Sequence, residues 1–341
     1  MAQIIPEKLV TVESHWQKEL ATAYKSPQAL LQDLALDPET YADDIRARSL
    51  FPMMVPKAFV SRMQPGNPHD PLLRQVFPLA EEFTSQLGYS ADPLQEQDNQ
   101  QPGLLHKYQS RVLLVVKGGC AVNCRYCFRR HFPYQDNALS KQDWLPVFDY
   151  IASDTAINEV ILSGGDPLMA TDAFLLWMTQ QIEAIAHIKT LRIHSRLPVV
   201  IPNRINSEFL RWFTQSRLTP VMVVHINHGQ EIDSPLKQKL LTLRQAGVTL
   251  LNQAVLLKSV NDSADALIHL HETLFDAGVL PYYLHMLDKV EGASHFEVSD
   301  DQARAIMAEV IKRQPGYLVP KLVREIGGQP GKTPMDLRLH P

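Results

Sequence analysis

The stretch RVLLVVKGGCAVNCRYC, residues 111–127, runs from a β-branched apolar segment through two glycines into three closely spaced cysteines. Val112 to Val116 has the composition of a buried strand, and the glycine pair ends it abruptly. Outward from it, β-rich runs alternate with helical ones at intervals of roughly 25 to 30 residues, as βα units do. Further strands are expected at Glu159 to Leu162, Leu191 to His194, Val221 to Ile226, Val248 to Val255 and Tyr282 to Met286. The helices between them carry end signals. Ser234 reads as an N-cap with Pro235 at the first position, Leu236, Leu240 and Leu243 share one face, and Gly247 lies past the end. Ser299 and Gln302 have capping-box spacing. Six such units with right-handed crossovers predict an α/β fold, a partial (β/α)6 TIM-like barrel, more naturally than an open sheet, although pattern alone does not separate the two. Chemistry in a barrel collects at strand C-terminal ends, and GGC, SGGDP, HSR, HINH and LDK all fall there.

Toward the N-terminus the pattern is different. The first 110 residues hold 11 of the 24 prolines, each limiting how far a helix or central strand can run. Short helices joined by turns are expected, with Ala29, Leu30, Leu31 and Leu34, and Leu72, Leu73 and Val76, spaced for packing. This gives three regions: a helical cap or wrap over 1–105, the barrel over 106–314, and a C-terminal segment over 315–341.

A chain of 341 residues with 45% hydrophobic content can bury a barrel-sized core. Its net charge of -4 lacks the basic footprint of a nucleic-acid binder, so a small-molecule substrate is expected. The stretch MAQIIPEKLVTVESHWQKEL has neither a basic start nor an unbroken apolar core, and nothing later approaches 18 consecutive apolar residues. A soluble cytoplasmic protein without membrane contact is the expectation.

Cys120, Cys124 and Cys127 are the three cysteines of the chain, clustered as no disulfide framework would be. Structural zinc needs four protein ligands, and His131 would have to be the fourth. Three thiolates instead suit a [4Fe-4S] cluster with one iron left open to a further ligand.

The Cys-x-x-x-Cys-x-x-Cys spacing resembles the signature of the radical S-adenosylmethionine (SAM) superfamily. The resemblance implies that the open iron chelates SAM, whose reductive cleavage yields a 5′-deoxyadenosyl radical. Ser163-Gly164-Gly165-Asp166-Pro167 is similar to the family's SAM-contacting glycine segment, which makes Gly164, Gly165 and Asp166 SAM-binding candidates; taken alone, Gly164-Gly165 is an ordinary strand-to-helix turn. The run Cys120 to Tyr134, with RIHSRLPVVIP, HINH, LLNQAVLLK, PYYLH and GGQPGKTP, is similar in order to the lysine 2,3-aminomutase family over about two thirds of the chain. Its Arg-Arg-His-Phe-Pro-Tyr segment most resembles the branch that makes (R)-β-lysine for modifying translation elongation factor P.

This second resemblance implies further roles. Lys332 matches the pyridoxal phosphate (PLP) lysine, Arg111 a phosphate contact, Gln253 another PLP-site contact, and His225 a position near SAM. Arg129 matches the receiver of the substrate carboxylate, and Asp288 one of two acids for the distal ammonium. The second acid is Glu325 here, where the family has aspartate; it is expected to meet the ammonium or to pair with Arg324 or a lysine. The family's cysteine-rich zinc segment has no counterpart after Cys127. The implied reaction moves the α-amino group of L-lysine to the β-carbon through a radical on the PLP–lysine external aldimine. An external reductant would feed the cluster, and elongation factor P and its lysyl-ligase would use the product.

Three other readings are weighed. A radical SAM enzyme without PLP could act on a larger molecule, or a non-catalytic module could hold a metal. A P-loop fails because Ile326 stands where the first glycine is required. HINH could suggest a metal pair, but residues three apart on a strand end point to opposite faces.

Overall fold

A computed structural model describes residues 16–97 and 101–339; residues 1–15 of the stretch read for a leader lie outside them. Among the described residues one sheet holds nine strands: β1 Leu104–Tyr108, β2 Arg111–Lys117, β3 Glu159–Gly164, β4 Thr190–Ser195, β5 Thr219–His225, β6 Thr249–Val255, β7 Leu280–His285, β8 Lys321–Arg324 and β9 Thr333–Pro334. Strands β2 to β8 run parallel, each beside its predecessor. β1 and β9 pair antiparallel on the two flanks, so the sheet curls into a partial barrel that stays open. Helices Leu145–Ser153, Asp172–Ala184, Ser207–Thr214, Ser234–Gln245, Ala264–Asp276 and Asp300–Arg313 follow β2 to β7 in turn. The six expected strands are β2 to β7. β1, β8 and β9 escaped the pattern because a strand of two to five residues interrupted by His, Lys or Pro shows no readable alternation.

One helix start differs from expectation. Asp233, not Ser234, caps Ser234–Gln245: its carboxylate accepts from the Leu236 amide at 3.0 Å, and Ser234 is already helical. A carboxylate also complements the helix dipole, which gives it the advantage over a hydroxyl there. Ser299 caps Asp300–Arg313 as expected, accepting from the Gln302 amide.

The prolines of the N-terminal region begin helices as well as limit them. Ser26, Asp37 and Asp70 cap short helices whose first residues are Pro27, Pro38 and Pro71, a position where the missing N–H costs nothing. Leu30, Leu31, Leu34, Leu72, Leu73 and Val76 are all buried, in one cluster with Val112 and Leu114 of the barrel.

β3 ends where it must touch the cysteine loop. The Gly165 amide donates to Lys117 O at 2.7 Å and the Asp166 amide to Gly119 O at 3.0 Å. A Cβ on Gly165 would lie 2.5 Å from Gly118 O and 2.8 Å from Gly119 O, both rigid backbone. Gly164 has φ +122° and equally little room, 2.5 Å from Lys117 O. Gly165→Ala is therefore expected to destabilise the fold by about 1–3 kcal/mol, the usual cost of overpacking. Denaturant melts of the apoprotein check this; an unchanged midpoint would show that the loop can retreat freely.

Candidate active site

One cavity opens at the C-terminal ends of the strands, and all the candidate residues line it: Cys120, Cys124, Cys127, Arg129, Gly164, Gly165, Asp166, His225, Gln253, Arg111, Asp288, Glu325 and Lys332. His131 faces a separate pocket with Glu82, Arg130 and Glu291, so it does not complete a zinc set with the cysteines.

The cysteine loop is fastened from outside the barrel. The Asn123 amide donates to Met54 O at 3.1 Å and the Arg125 amide to Gln75 O at 2.9 Å. Buried Arg125 and Arg130 both pair with buried Glu82, at 2.5 and 2.8 Å. Burial, with the charge of Cys124, pushes the Cys127 thiol up to about 11, and burial, with the charge of Cys127, raises Cys120 as well. Three soft thiols within eight residues on one cavity wall are a donor set that suits an iron–sulfur cluster. Among the described residues no three Cys, His, Asp or Glu groups are already drawn into a closed cage.

Asp166 braces the loop's neighbour. Its carboxylate accepts from Ser195 Oγ at 2.8 Å, the Leu168 amide at 3.0 Å, and the Arg196 and Leu197 amides, each at 2.9 Å. These donors tie β3 to β4 and leave Gly164 and Gly165 at the cavity wall. His225 ends β5 in the cavity, edge-on to His194 with ring centroids 5.8 Å apart, and burial drives it down to about 4. It is thus a neutral imidazole at physiological pH. His228 lies beyond the end of β5, where its Nδ1 accepts from the Gln230 amide at 3.2 Å and caps a short 3-10 helix, rather than on the strand as expected.

In the same cavity as the cysteines, Lys332 directly precedes β9, and among the described residues no helix follows it, which agrees with the failure of the P-loop pattern. Its Nζ donates to Glu325 Oε2 at 2.6 Å. Arg111 lies over the Tyr108 ring, 4.0 Å from the centroid, and reaches the cavity. Gln253 Nε2 lies 2.7 Å from His285 Nε2, while Gln253 Oε1 is buried without a partner among the described residues. A buried acceptor left open in the same cavity as a lysine amine and an arginine suits a polar, phosphate-bearing aldehyde cofactor.

The three substrate candidates differ in state. Arg129 is held by Glu96, Nε to Oε2 at 2.6 Å and Nη2 to Oε1 at 3.1 Å. Glu325 pairs with Lys332 and, at 3.7 Å, with Lys107, whereas Arg324 pairs with Asp300 at 2.6 Å. Burial opposes the charge of Glu325, but Lys332 and Lys107 keep its carboxyl below the usual range. Asp288 is different: burial, reinforced by Glu325, raises its carboxyl to about 7.

A profile described as "Radical SAM superfamily" matches residues 114–271. The chain is 55% identical to the L-lysine 2,3-aminomutase of Escherichia coli (strain K12), across 95% of each chain. It is 50% identical to that of Haemophilus influenzae, across 97% of this chain and 98% of the relative. The relative from Clostridium subterminale is 32% identical, across 94% and 77%.

The chain belongs to the lysine 2,3-aminomutase family. As an aminomutase-family radical SAM protein it is an isomerase, with a [4Fe-4S] cluster and SAM as cofactors.

Several residues of this aminomutase cavity lay beyond the sequence reading. Arg196 donates to Cys124 Sγ at 2.8 Å, Tyr126 Oη at 2.5 Å, Gln75 Oε1 at 2.7 Å and Glu231 Oε2 at 3.0 Å, and Asn227 joins through Tyr126 at 2.6 Å. HSR and HINH did flag Arg196 and Asn227 as strand-end residues. Glu96 and Lys107 carried no signal, because only the fold brings their segment to the cavity.

Proposed function

We propose that this chain is a cytoplasmic L-lysine 2,3-aminomutase that makes (R)-β-lysine with PLP, SAM and an external reductant, and that its product serves the modification of elongation factor P through the lysyl-ligase. One observation carries this reading: Lys332 and the three cysteines line the same cavity, so two cofactors held there can share one substrate. When bound, the cluster and SAM supply a hydrogen-abstracting radical and PLP carries the migrating amine.

In this reading the described part of the 1–105 region packs against the barrel of 106–314, and the 315–341 segment brings in Lys332. Arg111 takes the PLP phosphate and Gln253 a polar ring substituent. Gly164, Gly165 and Asp166 shape the SAM wall, beside neutral His225. Arg129 receives the lysine carboxylate, and Asp288 with Glu325 receives the distal ammonium. Opposite charges at the two ends would fix chain length and orient the β-carbon. The buried wall excludes water and stray hydrogen donors.

The raised Asp288 gives a pH test. A buried carboxyl that is still protonated near pH 7 must ionise to hold an ammonium, so lysine affinity is expected to rise as pH increases through about 7. Stability runs the opposite way. The folded carboxyl titrates above its unfolded value, so the stability it contributes is present in acid and lost as pH passes about 7. Asp288→Asn should flatten both profiles and weaken lysine by about 10²-fold, the scale of a buried charge-assisted hydrogen bond. Calorimetric titrations with lysine across pH 6 to about 8.5 measure it; a profile unchanged by Asp288→Asn would remove Asp288 from the ammonium site.

The function is tested by anaerobic incubation of iron-loaded protein with lysine, SAM, PLP and dithionite, followed by chiral analysis. (R)-β-lysine is expected. Absence of any β-isomer defeats the assignment.

A further inference from the structure

A buried guanidinium without a counter-ion is costly, so a carboxylate-binding arginine needs some partner before its ligand arrives. Arg129 is 8% exposed, and its three nitrogens all have acceptors: Glu96 on Nε and Nη2, Ser163 Oγ at 3.3 Å and Gly164 O at 3.2 Å on Nη1. The two-pronged Nε–Nη2 edge, which matches a carboxylate, is closed by a carboxylate of the chain itself.

The segment that delivers Glu96 is built for that position. The Asp92 carboxylate accepts from the Glu96 amide at 3.0 Å and the Gln97 amide at 2.9 Å. Gln95 has φ +54°, a left-handed conformation that side-chain-bearing residues seldom take and that recurs at clamps and switches. Its side chain lies against Gly327, where an added Cβ would sit 3.1 Å from Gln95 Cδ. Thus one turn touches both the arginine and the glycine-rich loop that leads to Lys332. Glu96 also has somewhere to go. Its Oε1 accepts from Lys107 Nζ at 2.7 Å, so losing Arg129 would leave it paired.

We propose that Glu96 is the resting counter-ion of Arg129, a stand-in for the substrate's α-carboxylate that lysine displaces onto Lys107 as it binds. This rests on the reading of Arg129 as the carboxylate receiver. Only a ligand with a carboxylate gains from the exchange, and its apparent affinity is reduced by the fraction of enzyme in which Glu96 holds the edge.

The test is calorimetric titration of holoenzyme carrying cluster and PLP, without SAM or reductant, so that no turnover intervenes. L-Lysine is compared with 1,5-diaminopentane, which lacks the carboxylate. Glu96→Gln is expected to bind lysine about tenfold more tightly, as when a closed fraction of about nine tenths is released, and diaminopentane unchanged. Arg129→Gln should weaken lysine whichever residue stands at 96. Unchanged or weaker lysine binding by Glu96→Gln, with Arg129→Gln still harmful, would overturn the exchange and leave the carboxylate site standing, Glu96 then serving to position Arg129. Unchanged lysine binding by Arg129→Gln would sink both. Thermal melts verify folding, and Glu96→Asp, one methylene shorter, tests the same direction should the amide variant not fold.

Discussion

Lys332→Ala will leave a protein that still loads iron and cleaves SAM but forms β-lysine slower by on the order of 10⁴-fold or more, the scale on which loss of a covalently acting residue is felt. The expectation follows from where Lys332 sits. Its amine reaches the cavity on a short strand flank far in sequence from the cysteine loop, and its salt partner Glu325 retains Lys107 at 3.7 Å and Tyr108 Oη at 3.4 Å when the amine is gone. The variant should therefore fold. The purified protein should also lack the absorbance band of a lysine-bound PLP. Near-normal β-lysine formation by this variant would show that the chemistry needs no amine at this position, and with it the PLP reading would fail.

Cys124→Ala, and equally Cys120→Ala or Cys127→Ala, should have the complementary defect. Two thiolates do not retain a cluster that three hold, so iron should fall from about four per chain to a small fraction, with SAM cleavage and β-lysine formation lost to background. The PLP band on Lys332 should survive, since no cysteine lies among the contacts of that amine. Arg196, which donates to Cys124 Sγ, keeps Tyr126, Gln75 and Glu231, so local structure should hold. Iron analysis and a SAM cleavage assay on each variant decide the matter. Full iron retention in any one of them would mean that its cysteine is not a ligand.

Much of this site was legible because its code is local. Cys120, Cys124 and Cys127 share a turn, Gly164 and Gly165 end a strand, and β2 to β7 each show an apolar run bounded by turn residues. Other parts were not. For Glu325 the chain alone left open whether it meets a lysine or Arg324; the fold gives Arg324 to Asp300 and Glu325 to Lys332 and Lys107. The N-cap at Asp233 went unread because two capping residues stood side by side, and only the helix register chose between them.

By itself the sequence determined the period of the strands, the order of the βα units, the spacing of the three cysteines in one loop and the amine at position 332, since each is written in residues near one another in the chain. The tertiary structure alone decided that these groups face one cavity, that Glu82 anchors the cysteine loop through two arginines, and that Glu96 closes Arg129. Those pairings join residues from separate segments, and charge complementarity between distant side chains leaves no periodic mark; it exists only once the barrel has curled and buried the partners together.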